Sequence, residues 1–176
     1  MRNKLNTIPT AVIWTLLSGM LFLCSPVIVF AASIGEQAPD FSLPSASGET
    51  RELVSFRDRV VFLNFWASWC EPCKKELPEL ETLYRKYNAR GFDVVGINID
   101  HREKNAREYI DRFELSFPVM LDPKGGVIRQ YRGNAMPVSY LIDRQGIVQK
   151  VFFGYAKSRL PNMEMAIVAL IDATEP

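Results

Sequence analysis

Two short apolar runs with an amphipathic stretch between them limit this chain to a few folds. Val60-Val61-Phe62-Leu63-Asn64-Phe65 is mostly β-branched and aromatic, and Phe92 to Ile99 is a second such run, entered through Gly91. Runs with so little alternation suit strands covered on both faces of a sheet. Between them Cys73, Leu77, Leu80, Tyr84 and Tyr87 recur at three- and four-residue spacing. Lys74, Lys75, Glu79, Glu81, Arg85 and Lys86 fill the remaining, solvent-facing positions of that helix. Strand, helix, strand in this order predicts a parallel pair joined by a right-handed crossover. Pro78 inside the helical pattern removes one backbone donor and predicts a kink.

The rest of the chain continues the alternation. Ala38 to Gly48 is a Pro- and Ser-rich lead-in. Glu103 to Glu114 reads as a second, more polar helix and Lys124 to Tyr131 as a short third. Ser139 to Ile142 and Ile147 to Phe152 flank Asp143-Arg144-Gln145-Gly146, a turn that predicts an antiparallel hairpin. Ser158 is placed to cap a last helix built on Leu160, Met163, Ile167 and Leu170. The 176 residues therefore read as one α/β domain from residue 33 to 176, preceded by a distinct segment at 1–32.

In that segment Arg2 and Lys4 precede Ala11 to Ala32, which contains no charged residue. The stretch fits a cleaved secretory signal, with Val29-Phe30-Ala31 as the cleavage site, and equally an uncleaved spanning helix bent at Pro26. Cys24 is a poor lipidation site, since Phe22 and Leu23 stand where small residues are needed. Either way the positive end stays inside and the domain is expected outside the cytoplasmic membrane, in an oxidising compartment.

Composition removes several functions. Lys+Arg 21 against Asp+Glu 20 leaves a net charge of +1, so a nucleic-acid partner has no electrostatic basis. A single histidine, His101, rules out a multi-histidine metal centre, and it is read as a loop residue. No cofactor is implied.

The chemistry is expected at Cys70 and Cys73, where the first strand passes into the helix. C-x-x-C at such a junction is a redox arrangement. Free N–H groups and the dipole at a helix N-terminus favour negative charge, so Cys70 ionises readily and is the solvent-facing nucleophile. Cys73, one turn further on the apolar face, is the buried resolving thiol. Pro72 sits in the first turn, where its missing N–H costs little. Trp66 and Trp69 are expected to supply flat apolar surface beside the sulfur. Zinc would need a second ligand pair, for which only Cys24 and His101 remain. A purely structural disulfide would close a loop too short to stabilise much.

The segment Asn64-Phe65-Trp66-Ala67-Ser68-Trp69-Cys70-Glu71-Pro72-Cys73-Lys74-Lys75-Glu76-Leu77-Pro78 resembles the active-site segment of the thioredoxin superfamily. It is most similar to the extracytoplasmic ResA-, TlpA- and CcmG-type thiol:disulfide oxidoreductases, and the resemblance runs from about Ile34 to the C-terminus. Ala38-Pro39-Asp40-Phe41 matches the lead-in of that branch and of peroxiredoxins. Asp100 to Pro123 resembles the insertion that marks the branch. The resemblance implies a thioredoxin-like fold, with a central mixed sheet flanked by helices, an N-terminal extension and a βα insertion. It implies that Pro137 in Met136-Pro137 is cis and faces the cysteines. Trp69, Glu71, Pro72, Met136 and Pro137 would then touch the substrate.

Thioredoxin has a buried aspartate and a lysine where this chain has Asn64 and Gly96. Glu76 is the candidate substitute, three residues after Cys73 and followed on its face by Leu80 and Leu83; the other reading is a solvated helix carboxylate. The implied activity is exchange of disulfides with partner proteins, as a reductant, for example of apocytochrome c thiols during cytochrome c maturation. A membrane electron donor would restore the dithiol, and the membrane itself is a partner if the first segment is uncleaved. A peroxiredoxin-like peroxidase and a copper or other metal chaperone are the alternatives.

Overall fold

The computed structural model describes residues 32–173. The segment at 1–32, apart from Ala32, lies outside them. Among the described residues no helix is long and apolar enough to cross a membrane.

The elements are β1 (Ser42–Pro44), β2 (Thr50–Glu52), β3 (Val60–Trp66), α1 (Glu71–Tyr87), β4 (Phe92–Asn98), α2 (Glu103–Arg112), β5 (Val119–Leu121), α3 (Gly126–Gln130), β6 (Val138–Ile142), β7 (Val148–Phe153) and α4 (Leu160–Asp172). One sheet has the order β5-β4-β3-β6-β7, and β1 and β2 form a separate hairpin. β3 lies parallel to β4 and antiparallel to β6, so the expected crossover and hairpin both stand in one mixed sheet.

β3 and β4 are buried at every position, as their unbroken apolarity requires. Val60, Phe62 and Trp66 face one way, against Leu77, Leu80 and Leu83 of α1, Ala106 of α2 and Met163 and Ile167 of α4. Val61, Leu63 and Phe65 face the other way, against Val127 and Ile128 of α3 and Ala38, Phe41, Leu53 and Phe56 of the extension. Each large apolar side chain so buried contributes about 1.5–3 kcal/mol. Tyrosine hydroxyls fasten the extension to the sheet: Tyr131 donates to the Pro39 carbonyl at 2.6 Å and Tyr140 to the Tyr131 carbonyl at 2.5 Å. The insertion supplies α2 and the edge strand β5.

Local chemistry differs from the sequence reading at three places. Ser158 does not cap α4; it sits in a 3-10 turn at Lys157–Arg159, and Arg159 occupies the cap position without a side-chain bond. Instead Arg144, in the β6–β7 turn, donates to the Leu170 and Ile171 carbonyls and satisfies the other end of the helix. Glu81 is buried rather than solvated, because it accepts from the backbone N–H and hydroxyl of Ser116 and so ties α1 to the insertion. α2 stops at Arg112, two residues early, where Glu114 takes φ 49° and the Leu115 N–H turns back to the Ile110 carbonyl.

Candidate active site

β3 ends at Trp66 and α1 begins at Glu71, so the intervening turn carries Cys70 as the helix N-cap. Its sulfur accepts the Cys73 N–H at 3.3 Å. Pro72 lies in the first helical turn and Glu71 pairs with Lys74 there. Cys70 and Cys73 form a disulfide. Cys73 is 1% exposed, as expected of the inner sulfur. Cys70 is only 5% exposed, less open than a nucleophile read as solvent-facing.

Cys70 lines an open groove together with Trp69, Glu71, Pro72, Ile99, Ile128 and the loop from Gly133 to Met136. Trp69 is 65% exposed on its rim. Trp66 does not share this surface: it is fully buried against α1, so of these two only Trp69 presents an indole to the groove. The Met136–Pro137 peptide bond is cis, and the Pro137 carbonyl accepts the Gly154 N–H at 2.8 Å. The groove thus brings together Trp69, Cys70, Glu71, Pro72 and Met136 from two segments far apart in the chain.

Glu76 is 1% exposed on the inner face of α1. Asn64 of β3 donates one amide N–H to its Oε2 at 2.9 Å and the other to Ser139 Oγ at 2.9 Å. Burial lifts the Glu76 carboxyl from 4.5 to about 7, while the Asn64 hydrogen bond and the charge of Arg159 oppose the rise. A carboxyl near neutrality, one turn from Cys73, can take up or give up a proton at working pH. Opposite Asn64 in the sheet stands Gly96, where a Cβ would lie 3.1 Å from both the Trp66 indole nitrogen and Phe117. The space that a lysine would need is filled by these rings.

Asp100 and Ser139 were not legible as site residues. Asp100 follows β4 and is 3% exposed. Its Oδ2 accepts from the Ser68 N–H and Asn98 Nδ2, and its Oδ1 from the Ser68 hydroxyl. Its position at the carboxyl end of a parallel strand was the available signal. His101 is exposed, with Nδ1 against the Pro123 carbonyl. Among the described residues, no three His, Cys, Asp or Glu side chains are grouped to hold a metal ion.

A mixed sheet with a closed C-x-x-C pair capping the first long helix defines a thioredoxin-like thiol-disulfide oxidoreductase, and by its match at residues 34–151 the chain belongs to the AhpC/TSA family. Its relatives agree in chemistry. It is 36% identical to the thiol-disulfide oxidoreductase ResA of Geobacillus thermodenitrificans over 70% of this chain and 71% of that protein. It is 39% identical to the thioredoxin-like protein YneN of Bacillus subtilis over 68% of this chain and 71% of that protein. A putative thiol:disulfide interchange protein DsbE from Chlorobium tepidum superposes with a TM-score of 0.77 at 37% identity, covering 80% of this chain and 99% of that one.

Proposed function

We propose that this oxidoreductase works outside the cytoplasmic membrane as a reductant of protein disulfides, with Cys70 attacking and Cys73 resolving. The observation that carries the reading is the position of the pair: Cys70 caps α1 at the wall of an apolar groove, with Cys73 buried behind it. Only a thiolate attacks a disulfide, and the α1 N-terminus favours that form at Cys70.

In the reaction, the Cys70 thiolate attacks one sulfur of the client disulfide, and the other client sulfur leaves as a thiolate that takes a proton. Cys73 loses its proton to the Glu76 carboxylate and attacks Cys70. The second client thiolate departs, two electrons have passed to the client, and the Cys70–Cys73 disulfide remains. Trp69, Glu71, Pro72 and Met136 contact the client chain from the groove wall, joined by Pro137 across the cis bond from Met136, with Trp69 and Met136 covering the apolar neighbours of its cysteine.

The charge-free stretch at 11–32 and the likeness to ResA and DsbE proteins support an extracytoplasmic location and a membrane electron donor that regenerates the dithiol. The resemblance to the cytochrome c maturation branch makes apocytochrome c thiols the first client to test. The test is a Cys73→Ser chain incubated with a disulfide-bridged apocytochrome c haem-site peptide. A stable adduct on Cys70, absent in Cys70→Ser, is expected; an adduct formed equally without Cys70 would overturn the mechanism. Because the family match includes the AhpC/TSA lead-in, the same Cys73→Ser protein should be offered peroxide, and turnover there would favour a peroxidase.

A further inference from the structure

The turn joining β3 to α1 holds the reacting sulfur, and backbone bonds fix its ends: the Ile99 N–H reaches the Trp66 carbonyl at 3.1 Å, the Cys70 N–H the Ala67 carbonyl at 3.1 Å and the Lys74 N–H the Cys70 carbonyl at 3.3 Å. Its middle, at Ser68, is held from the carboxyl end of the neighbouring strand. Asp100 receives the Ser68 N–H at 2.9 Å and the Ser68 hydroxyl at 2.7 Å, one on each carboxylate oxygen. The carboxylate is itself held from behind, since Asn98 donates to Oδ2 at 2.7 Å and accepts the Asp100 N–H at 2.9 Å. Asn98 is fixed in turn, its carbonyl taking the Asp122 N–H at 2.8 Å as β4 pairs with β5. A chain of hydrogen bonds, buried at Asn98 and part-buried at Ser68, therefore runs from the sheet to the residue two places before Cys70.

We propose that Asp100 is a positioning residue for thiol exchange: by clamping Ser68 from both sides it keeps Cys70 seated on the α1 N-terminus, where the Cys73 N–H meets its sulfur. Without the clamp the turn gains freedom and Cys70 leaves the helix end for part of the time. The thiolate then loses the partial positive charge that favours it. The role is geometric. An asparagine at 100 can keep its Oδ1 toward the Ser68 N–H and Asn98 while its amide donates to the Ser68 hydroxyl, so Asp100→Asn should preserve the seat. Asp93, a buried carboxylate at the opposite end of β4 that accepts from Arg59 and Asn88, shares the burial but not the contact with the turn.

The inference rests on Cys70 being the nucleophile, and one measurement separates the two. The full chain is reduced and alkylated with iodoacetamide at pH 7, and the label is located by peptide mass. Asp100→Ala should slow Cys70 alkylation about fivefold, the size expected from losing a helix N-terminus. Asp100→Asn should restore the rate, and Asp93→Ala should lower stability without changing it. An unaltered rate in Asp100→Ala, or an equal drop in Asp93→Ala, overturns the proposal while leaving Cys70 as nucleophile. A label landing on Cys73 in the unaltered chain overturns both. If Asp100→Ala does not fold, Ser68→Ala takes its place: a rate about half the original supports the clamp, since one of two bonds is lost, and no change rejects it.

Discussion

At Glu76 the native fold retains a proton that the unfolded chain has already released, because burial lifts its carboxyl from 4.5 to about 7. The unfolded state therefore binds fewer protons than the native one between those values, and stability falls as pH rises through that window. Its contribution is fully present below about pH 4.5 and is lost as pH passes about 7. Denaturant titrations of the oxidised protein should show this as a downward slope, on the order of 3 kcal/mol across the window. Glu76→Gln should flatten it, and an identical slope in both proteins would remove Glu76 as its source. The same substitution should lower the pKa of both thiols in the reduced protein, since a neighbouring negative charge disappears; unchanged titrations would reject its part in the chemistry. The three-residue spacing from Cys73 made Glu76 a candidate, but its burial was open in the sequence. Asn64 and Ser139, which complete the pocket around it, come from two strands that are paired only in the folded sheet.

β3 and β4 were legible because strands covered on both faces need apolar residues throughout, a pattern that short range order alone reveals. The partner of that burial was not. Glycine within a strand ordinarily weakens it, yet Gly96 is required by the Trp66 and Phe117 rings standing 3.1 Å from where its Cβ would be. Gly96→Ala should destabilise the protein by about 1–3 kcal/mol, as over-filling a packed core does, measured from the denaturant midpoint. A neutral result would mean that the rings yield without cost. Glu81 misled for a related reason: its helical spacing is that of a solvated position, and only the insertion folding back to offer Ser116 makes it internal. Ser158 carries the right chemistry for a cap, but the chain enters α4 through a 3-10 turn that puts Arg159 at the cap position instead.

For the molecule as a whole, the direction of electron flow depends on how much the fold prefers the dithiol over the disulfide. A reductant should equilibrate at a potential at or below that of protein disulfide isomerase, about −180 mV, when titrated against glutathione. A value near that of the strong oxidant DsbA, about −120 mV, would reverse the proposed direction, since about 30 mV in this couple equals about 1.4 kcal/mol. The groove in which the client is proposed to bind is a tertiary object, lined together by Trp69 to Pro72, Gly133 to Met136, Ile99 and Ile128.

Local order along the chain was enough to set the alternation of strands and helices, the hairpin turn and the placement of two cysteines at a helix N-terminus, because each depends on periodicity or on neighbours within a few residues. The proton affinity of Glu76, the assembly of the groove and the bonds from Asp100 to Ser68 depend on residues brought together across 12 to 75 positions. Desolvation and buried hydrogen bonds exist only after the sheet has closed over them, so these properties belong to the folded molecule.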